Sequence, residues 1–274
     1  TAILIIFLLV SSTGYIILRD SIITNHEKDT KILFYNIQNK TSDLLSQLLY
    51  QYSLQKNPLM DKHKLVAEYL SSQNNKALKI DLENINSIIN KDANNNPYNI
   101  YISDKNLVIK NSTFKKDIGF DLSFAKSSFD EHFDKNITGI CTPLFEKSSK
   151  QFFSYTDAYL DNNKSGVLQV SYTYEDSNNK LLEIQNLISQ YPNIIDAKAY
   201  IIVDSGFVND IILKDYPSYK PDLKEILART DDGTKIINKL SSTNLITNKF
   251  TKDNVAYKTI LLSTKSAIFD NTKI

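Results

Sequence analysis

The run FFSYTDAYL, residues 152–160, carries the residues best suited to chemistry. Side chains alternate across a strand, so Phe153, Tyr155, Asp157 and Tyr159 share one face. Three aromatics and one carboxylate suit a ligand pocket, which is mostly apolar with a few placed polar groups. A plainer reading makes the aromatics core and has Asp157 cap a neighbouring backbone group. Histidines stand only at 26, 63 and 132, with no His-x-x-x-His spacing for a metal. His26 and His63 read as surface residues on helices, and His132 as a solvated helix histidine unless it joins the pocket. The six glycines are dispersed and form no phosphate-cradling loop, and no serine is framed as Gly-x-Ser-x-Gly. Asp231-Asp232 precede Gly233 and read as a turn, and Lys115-Lys116-Asp117 as a solvated loop. Cys141 is the only cysteine, which excludes an intrachain disulfide and a cysteine metal cluster. Its expected role is that of a small buried apolar residue in a strand. No cofactor, metal or catalytic residue is expected, and this region is not read as an enzyme.

The elements that must position these residues follow from pattern. Residues 21–56 lack Pro and Gly, and Ile37, Leu44, Leu45, Leu48, Leu49 and Tyr52 recur at helical steps. A helix over that stretch would run about 50 Å. Asn57-Pro58 is expected to break it, with Asp61 capping a second helix through Leu70. DLENINSIIN, residues 81–90, predicts a third helix, and residues 91–97 a loop. Residues 99–103 and 106–110 predict a hairpin with Asp104-Lys105 at its turn. Residues 152–160 and 166–174 predict another hairpin, with the segment 113–139 between the two showing no clear period. Residues 178–190 read as a helix.

The scheme then repeats. IYISDKNLVI at 100–109 and YIIVDSGFVN at 200–209 overlie each other with a shift of one hundred residues. Strands are expected at 197–203 and 207–213, helices at 222–229 and 234–240, and strands at 245–251 and 256–264 with a turn at 252–254. The fold class is therefore α+β: a long N-terminal helix followed by two antiparallel-sheet domains, one face of each sheet covered by helices. The boundaries expected are 1–20, 21–56, 57–190 and 191–274.

Residues 1–18 carry no charge and Arg19 closes the run, which meets the length of a membrane span. Ser11-Ser12-Thr13-Gly14 keeps a cleaved signal segment as the alternative. An uncleaved span is the expectation, with the bulk of the chain on one side of a membrane. The formal net charge of +1 argues against a nucleic-acid partner. The long helix is able to pack on its own domain or against a second copy, and a homodimer through it is expected.

A membrane span, a long helix and two α/β units each opening on an IYI-x-D-x-x-x-V-I-type hairpin resemble the double Cache (dCache) family. These are extracytoplasmic sensor domains of bacterial receptors, PAS-like in shape. The resemblance covers 21–274. YNIYISDKNLVIKNSTFKKDIGFDLSF (98–124) and GVLQVSYTY (166–174) carry it most specifically, and SAIFDNTKI (266–274) resembles the exit toward a second span. The resemblance implies a small-molecule ligand in the membrane-distal domain, a relay in the proximal one, and a bacterial inner-membrane protein with its bulk periplasmic or extracellular. It implies a cytoplasmic output module, with a sensor histidine kinase the first expectation and a diguanylate cyclase or methyl-accepting chemotaxis protein the alternatives. A membrane-anchored envelope protein that binds a partner through its tyrosine-rich strands is a further alternative. The amino-acid-binding subclass has an Arg-x-Trp-Tyr element and a late Asp. Here Asp130-Glu131-His132-Phe133 stands in the first place and Ser171 in the second, and the chain has no Trp. That specificity is not carried over, and a cationic or neutral ligand is favoured. The ligand-binding residues expected are Tyr101, Asp130, His132, Phe133, Tyr155, Asp157 and Ser171.

Overall fold

The computed structural model describes residues 2–73, 77–147, 149–191, 194–203, 208–214, 243–252 and 255–264. The expected turn at 204–207, the helices at 222–229 and 234–240, most of the turn at 252–254 and the tail at 266–274 lie outside them. The side chains of residues 1–6, 8 and 9, which begin the uncharged N-terminal run, lie outside them too. Among the described residues no helix is long and apolar enough to cross a membrane.

Helix α1 (Ala2–Ser72) is a single helix of 71 residues, with Pro58 inside it. The expected break at Asn57-Pro58 does not occur, and Asp61 is interior rather than a cap. Proline in a helix costs about 3 kcal/mol through its missing N–H and its ring. The reason the helix continues is packing. Leu33, Ile37, Thr41, Leu44, Leu48, Leu59, His63, Val66 and Leu70 are all buried and lie on one stripe at 100° per residue, in phase on both sides of Pro58. Burying Leu59, Val66 and Leu70 contributes roughly 1.5–3 kcal/mol each, which outweighs the local penalty. Leu54, whose carbonyl faces the missing N–H, is exposed and open to water.

A short α2 (Glu83–Asn90) follows, shorter at its start than expected because Asp81 sits outside it and accepts the Glu83 N–H at 3.0 Å. The buried Asn90 side chain both donates to and accepts from the Tyr98 backbone, at 3.0 Å each way. That closes the loop at 91–97 and starts the first strand.

The first sheet contains β1 (Tyr98–Ser103), β2 (Ile109–Ser112), β3 (Gly139–Ile140), β4 (Leu144–Glu146), β5 (Gln151–Tyr159) and β6 (Val167–Thr173). Its order is β2-β1-β6-β5-β3, all antiparallel, with β4 also on β5. The first hairpin has a longer turn than the expected two residues. Asp104 Oδ1 accepts the N–H groups of Asn106 and Val108, and Leu107 sits at φ 63°, so pairing resumes only at Ile109. Between β2 and β3 lies α3 (Lys126–Asp134), a helix in the segment that lacked a clear period. Helix α4 (Glu175–Ser189) leads out of β6.

The second sheet contains β7 (Ile194–Val203), β8 (Val208–Lys214), β9 (Thr243–Lys252) and β10 (Val255–Thr264), ordered β8-β7-β10-β9. In both sheets the first strand of the unit is central, flanked by its hairpin partner and by the last strand. The overlaid sequences at 100 and 200 are thus the same two-strand seed of two like-ordered sheets.

Alternation sorts the first sheet into two faces. Leu168 and Val170 of β6 and Ile100 and Ile102 of β1 pack with Leu59, Val66 and Leu70 of α1. Phe152, Leu181 and Ile184 join Ile37, Leu44, Leu45 and Leu48 of α1 and the second-sheet residues Ala197, Ala199 and Ile211 in another cluster.

Candidate functional site

The other face of the first sheet looks onto the segment 113–139. Tyr101, Val167 and the part-buried Tyr155 and Tyr159 pack there against Leu122, Phe129 and Phe114. Strand register fixes the neighbours. Ser171 pairs with Tyr155 on one side and Asn99 on the other, and Gln169 pairs with Asp157 and Tyr101. The Ser171 hydroxyl donates to the Tyr101 hydroxyl at 3.4 Å. The Tyr101 and Tyr155 rings meet edge-on with centroids 5.8 Å apart.

Tyr155 is deeply surrounded, and burial first of all pushes its phenol well above the usual range. Yet its side chain keeps accessible surface, as does that of Cys141. Cys141 lies just past β3 rather than in a strand. Its sulfur accepts the Tyr155 N–H at 3.1 Å, and burial pushes its thiol up to about 12, so it is no thiolate nucleophile.

Asp157 and His132 come together, His132 Nδ1 lying 2.7 Å from Asp157 Oδ1. Gly139 makes room for this pair. A Cβ there would fall 2.0 Å from His132 Nδ1 and 2.5 Å from Asp157 Oδ2. Asp157 is 6% exposed, and burial raises its carboxyl despite the opposing His132 hydrogen bond. Asp130 and Phe133 belong to a neighbouring group at the end of α3. Asp130 pairs with Lys126 and, at 2.6 Å, with Lys164, and accepts the Tyr159 hydroxyl at 3.0 Å. The two lysines hold its carboxyl well below the usual range. Lys164 lies 4.6 Å above the Phe133 ring and 5.0 Å above that of Tyr159. Of the expected set, then, Tyr101, Tyr155 and Ser171 form one group, His132 and Asp157 a second, and Asp130 and Phe133 a third.

Three residues outside that set line the first two groups. Gln169 is 8% exposed and lies between Asp157 and Tyr101 in the ladder. Asp117, read from sequence as part of a solvated loop, is half-buried instead. Burial, then repulsion from Glu146, pushes its carboxyl from 3.8 up to about 6. Asp117 and Glu146 both act on the phenols of Tyr101 and Tyr155. The period-two pattern of β6 would have placed Gln169 on this face. Asp117 and Glu146 carry no periodic signal. His63, read as a surface residue, is in fact 3% exposed and 2.9 Å from Thr156 Oγ1. Among the described residues no group of three His, Cys, Asp or Glu side chains could hold a metal.

Asp117 makes a titration prediction. Its folded pKa lies above its unfolded value, so its favourable contribution is full below about 3.8 and is lost as pH rises through about 6. Asp117→Asn keeps the shape without the proton. Denaturant unfolding should show the parent losing stability relative to this variant between about pH 4 and about pH 7. A constant difference across that range would contradict the assignment.

No family model matches the chain, and no curated protein matches it by sequence. Solved structures do match. Those it is similar to include sensory domains of bacterial receptors. The sensory domain of the Campylobacter jejuni chemoreceptor Tlp3 with isoleucine bound matches at 16% identity, over 85% of this chain and 94% of that one, with a TM-score of 0.35. The sensor domain of the V. cholerae histidine kinase DctB matches at 12% identity, over 83% of this chain and 97% of that one, with a TM-score of 0.38. An extracellular ligand binding receptor from Desulfohalobium retbaense DSM5692 matches at 15% identity and a TM-score of 0.39. That match takes in 80% of this chain, which spans only 39% of the receptor's chain.

Proposed function

We propose that the chain is the extracytoplasmic small-molecule-sensing region of a membrane-anchored bacterial receptor, a double Cache domain whose distal unit, residues 57–190, binds the ligand and whose proximal unit, residues 191–274, relays. The observation that carries this reading is the continuity of α1. One helix joins the apolar N-terminal run to the floor of the sheet whose opposite face carries Tyr101, Tyr155 and Ser171. A ligand there shifts the chain between two arrangements only as far as it prefers one of them. Phe7, Val10, Ile16, Ile17 and Leu18 are exposed, bare apolar side chains that suit a bilayer. Ile32, Tyr50, Leu54 and Leu65 are exposed on the side of α1 away from the sheets and suit a second copy of the helix. The output we infer is a histidine kinase, ahead of a cyclase or a chemotaxis protein.

Asp117 and Asp157 stand beside the tyrosines, and the ligand class we favour is an amine or other hydrogen-bond donor that would meet such carboxyls. The test is thermal unfolding of the chain against amines, amino acids, organic acids and purines. A ligand at a hundred times its Kd adds about 2.7 kcal/mol, and the shift should appear with amines and vanish in Tyr155→Ala and Asp157→Ala. A well-folded protein that answers to none of them would count for the second reading, an envelope protein that binds a partner. That reading has its own support in Ile118, Phe120 and Phe124, which are exposed together on the covering segment.

A further inference from the structure

The helix-facing side of the first sheet holds a separate cavity of about 370 Å³, between α1 and the end of the β5–β6 hairpin. Thr156 and Ala158 point to this side, whereas Tyr155 and Asp157 point to the other. Ala67, Leu70, Ala158 and Leu168 give it apolar walls, and the exposed Asp161 stands at its rim. His63 is the buried polar group in its wall. The ring bonds Thr156 through Nδ1, and Nε2 has no hydrogen-bond partner among the described residues. No residue satisfies that nitrogen, so it is left to whatever fills the cavity, water or a ligand.

The chemistry of an occupant follows. Burial lowers the His63 pKa to about 4, so the ring is neutral near pH 7. A neutral imidazole has one N–H and one bare nitrogen, so Nε2 is a donor or an acceptor according to the tautomer that Thr156 selects. A hydroxyl group answers either one. A charged ligand would find no counter-charge among the apolar walls. The Asp161 carboxylate stays ionised at the rim, held there by the N–H groups of Asn163 and Ser165 and by the Ser165 hydroxyl, so it is exposed to solvent rather than part of the wall around His63. The volume lies within the range of small-molecule sites.

We propose that this cavity binds a small neutral alcohol, its apolar body against Leu70, Ala158 and Leu168 and its hydroxyl on His63 Nε2. The site lies on the other side of the sheet from Tyr155 and does not depend on what binds there. It sits directly on α1.

Benzyl alcohol and toluene, nearly the same in shape, are the probes. The full chain carrying nitrogen-labelled histidine is titrated with each while the imidazole nitrogen resonances are followed. Benzyl alcohol should move the His63 Nε2 resonance saturably and bind about tenfold tighter than toluene, the worth of one net hydrogen bond. Ala67→Leu, which fills the space from the helix, should abolish the response while His63 Nδ1 keeps its bonded resonance. Ala158→Val does the same from the sheet and serves if the first variant does not fold. An absent or unsaturable shift would mean that water alone fills the cavity and would overturn the proposal. Equal affinity for toluene would overturn it too, as would a response that survives the filling variant.

Discussion

Acidification from about pH 7 to about pH 4 is expected to remove on the order of 3 kcal/mol of stability through one side chain, His63. Burial lowers its pKa from 6.5 to about 4. The folded chain therefore holds the ring neutral where the unfolded chain protonates it. The contribution is complete above 6.5 and is lost as pH falls through that value toward about 4. Asp117 and Asp157 work in the opposite sense, since burial raises both. The informative quantity is thus a difference. Denaturant unfolding of the parent and of His63→Gln, at the two ends of the range, should show the parent losing more by that amount. Glutamine keeps a hydrogen-bonding group for Thr156 but does not titrate. Equal losses in both proteins would mean that another group governs acid sensitivity.

The second large effect is steric. Gly166 immediately precedes β6, and a Cβ on it would lie 2.1 Å from the Ser103 carbonyl oxygen and 3.1 Å from the Leu160 Cδ1. A leucine methyl can swing aside, but a strand carbonyl cannot. The next residue fixes the spacing further, because the Val167 N–H donates to Ser103 Oγ at 2.9 Å. Gly166→Ala must therefore push β1 and β6 apart where the sheet bears Tyr101 and Gln169. A cost of about 2–3 kcal/mol is expected, read as a drop of several degrees in Tm. Gly14→Ala is the control, since nothing lies within 4 Å of a Cβ there. A tolerated Gly166→Ala would show that the two strands separate more easily than their pairing implies.

Much of the architecture was legible because it is periodic. The long strands at 98–103, 151–159, 167–173, 194–203, 208–214, 243–252 and 255–264 and the helix out of β6 stood close to where alternation and helical spacing put them, whereas β2 begins three residues late and the short β3 and β4 gave no signal. The break at Pro58 was misread because a local rule was applied without the stripe around it. Leu59, His63, Val66 and Leu70 continue the spacing of Leu44 and Leu48, and that continuity also placed His63 inside. The pairings within the site were less legible. His132 reaches Asp157 only because α3 folds back and Gly139 leaves space, and Asp130 meets Lys164 across 34 residues of chain. Asp117 draws its raised pKa from burial under a segment with no period of its own. Contacts of this kind depend on where loops return, which spacing does not encode.

The continuity of α1 also constrains how chains of this kind can change length. Its contacts before Leu49 and after Leu59 belong to two different clusters but share one angular origin. Each residue inserted between them would turn everything beyond by about 100°, presenting charged side chains to one cluster or the other. Seven residues nearly close the rotation, leaving it about 20° short. Gaps in an alignment of related chains should accordingly come in sevens in this stretch, while the loop at 91–97, which has no such phase to keep, can vary residue by residue.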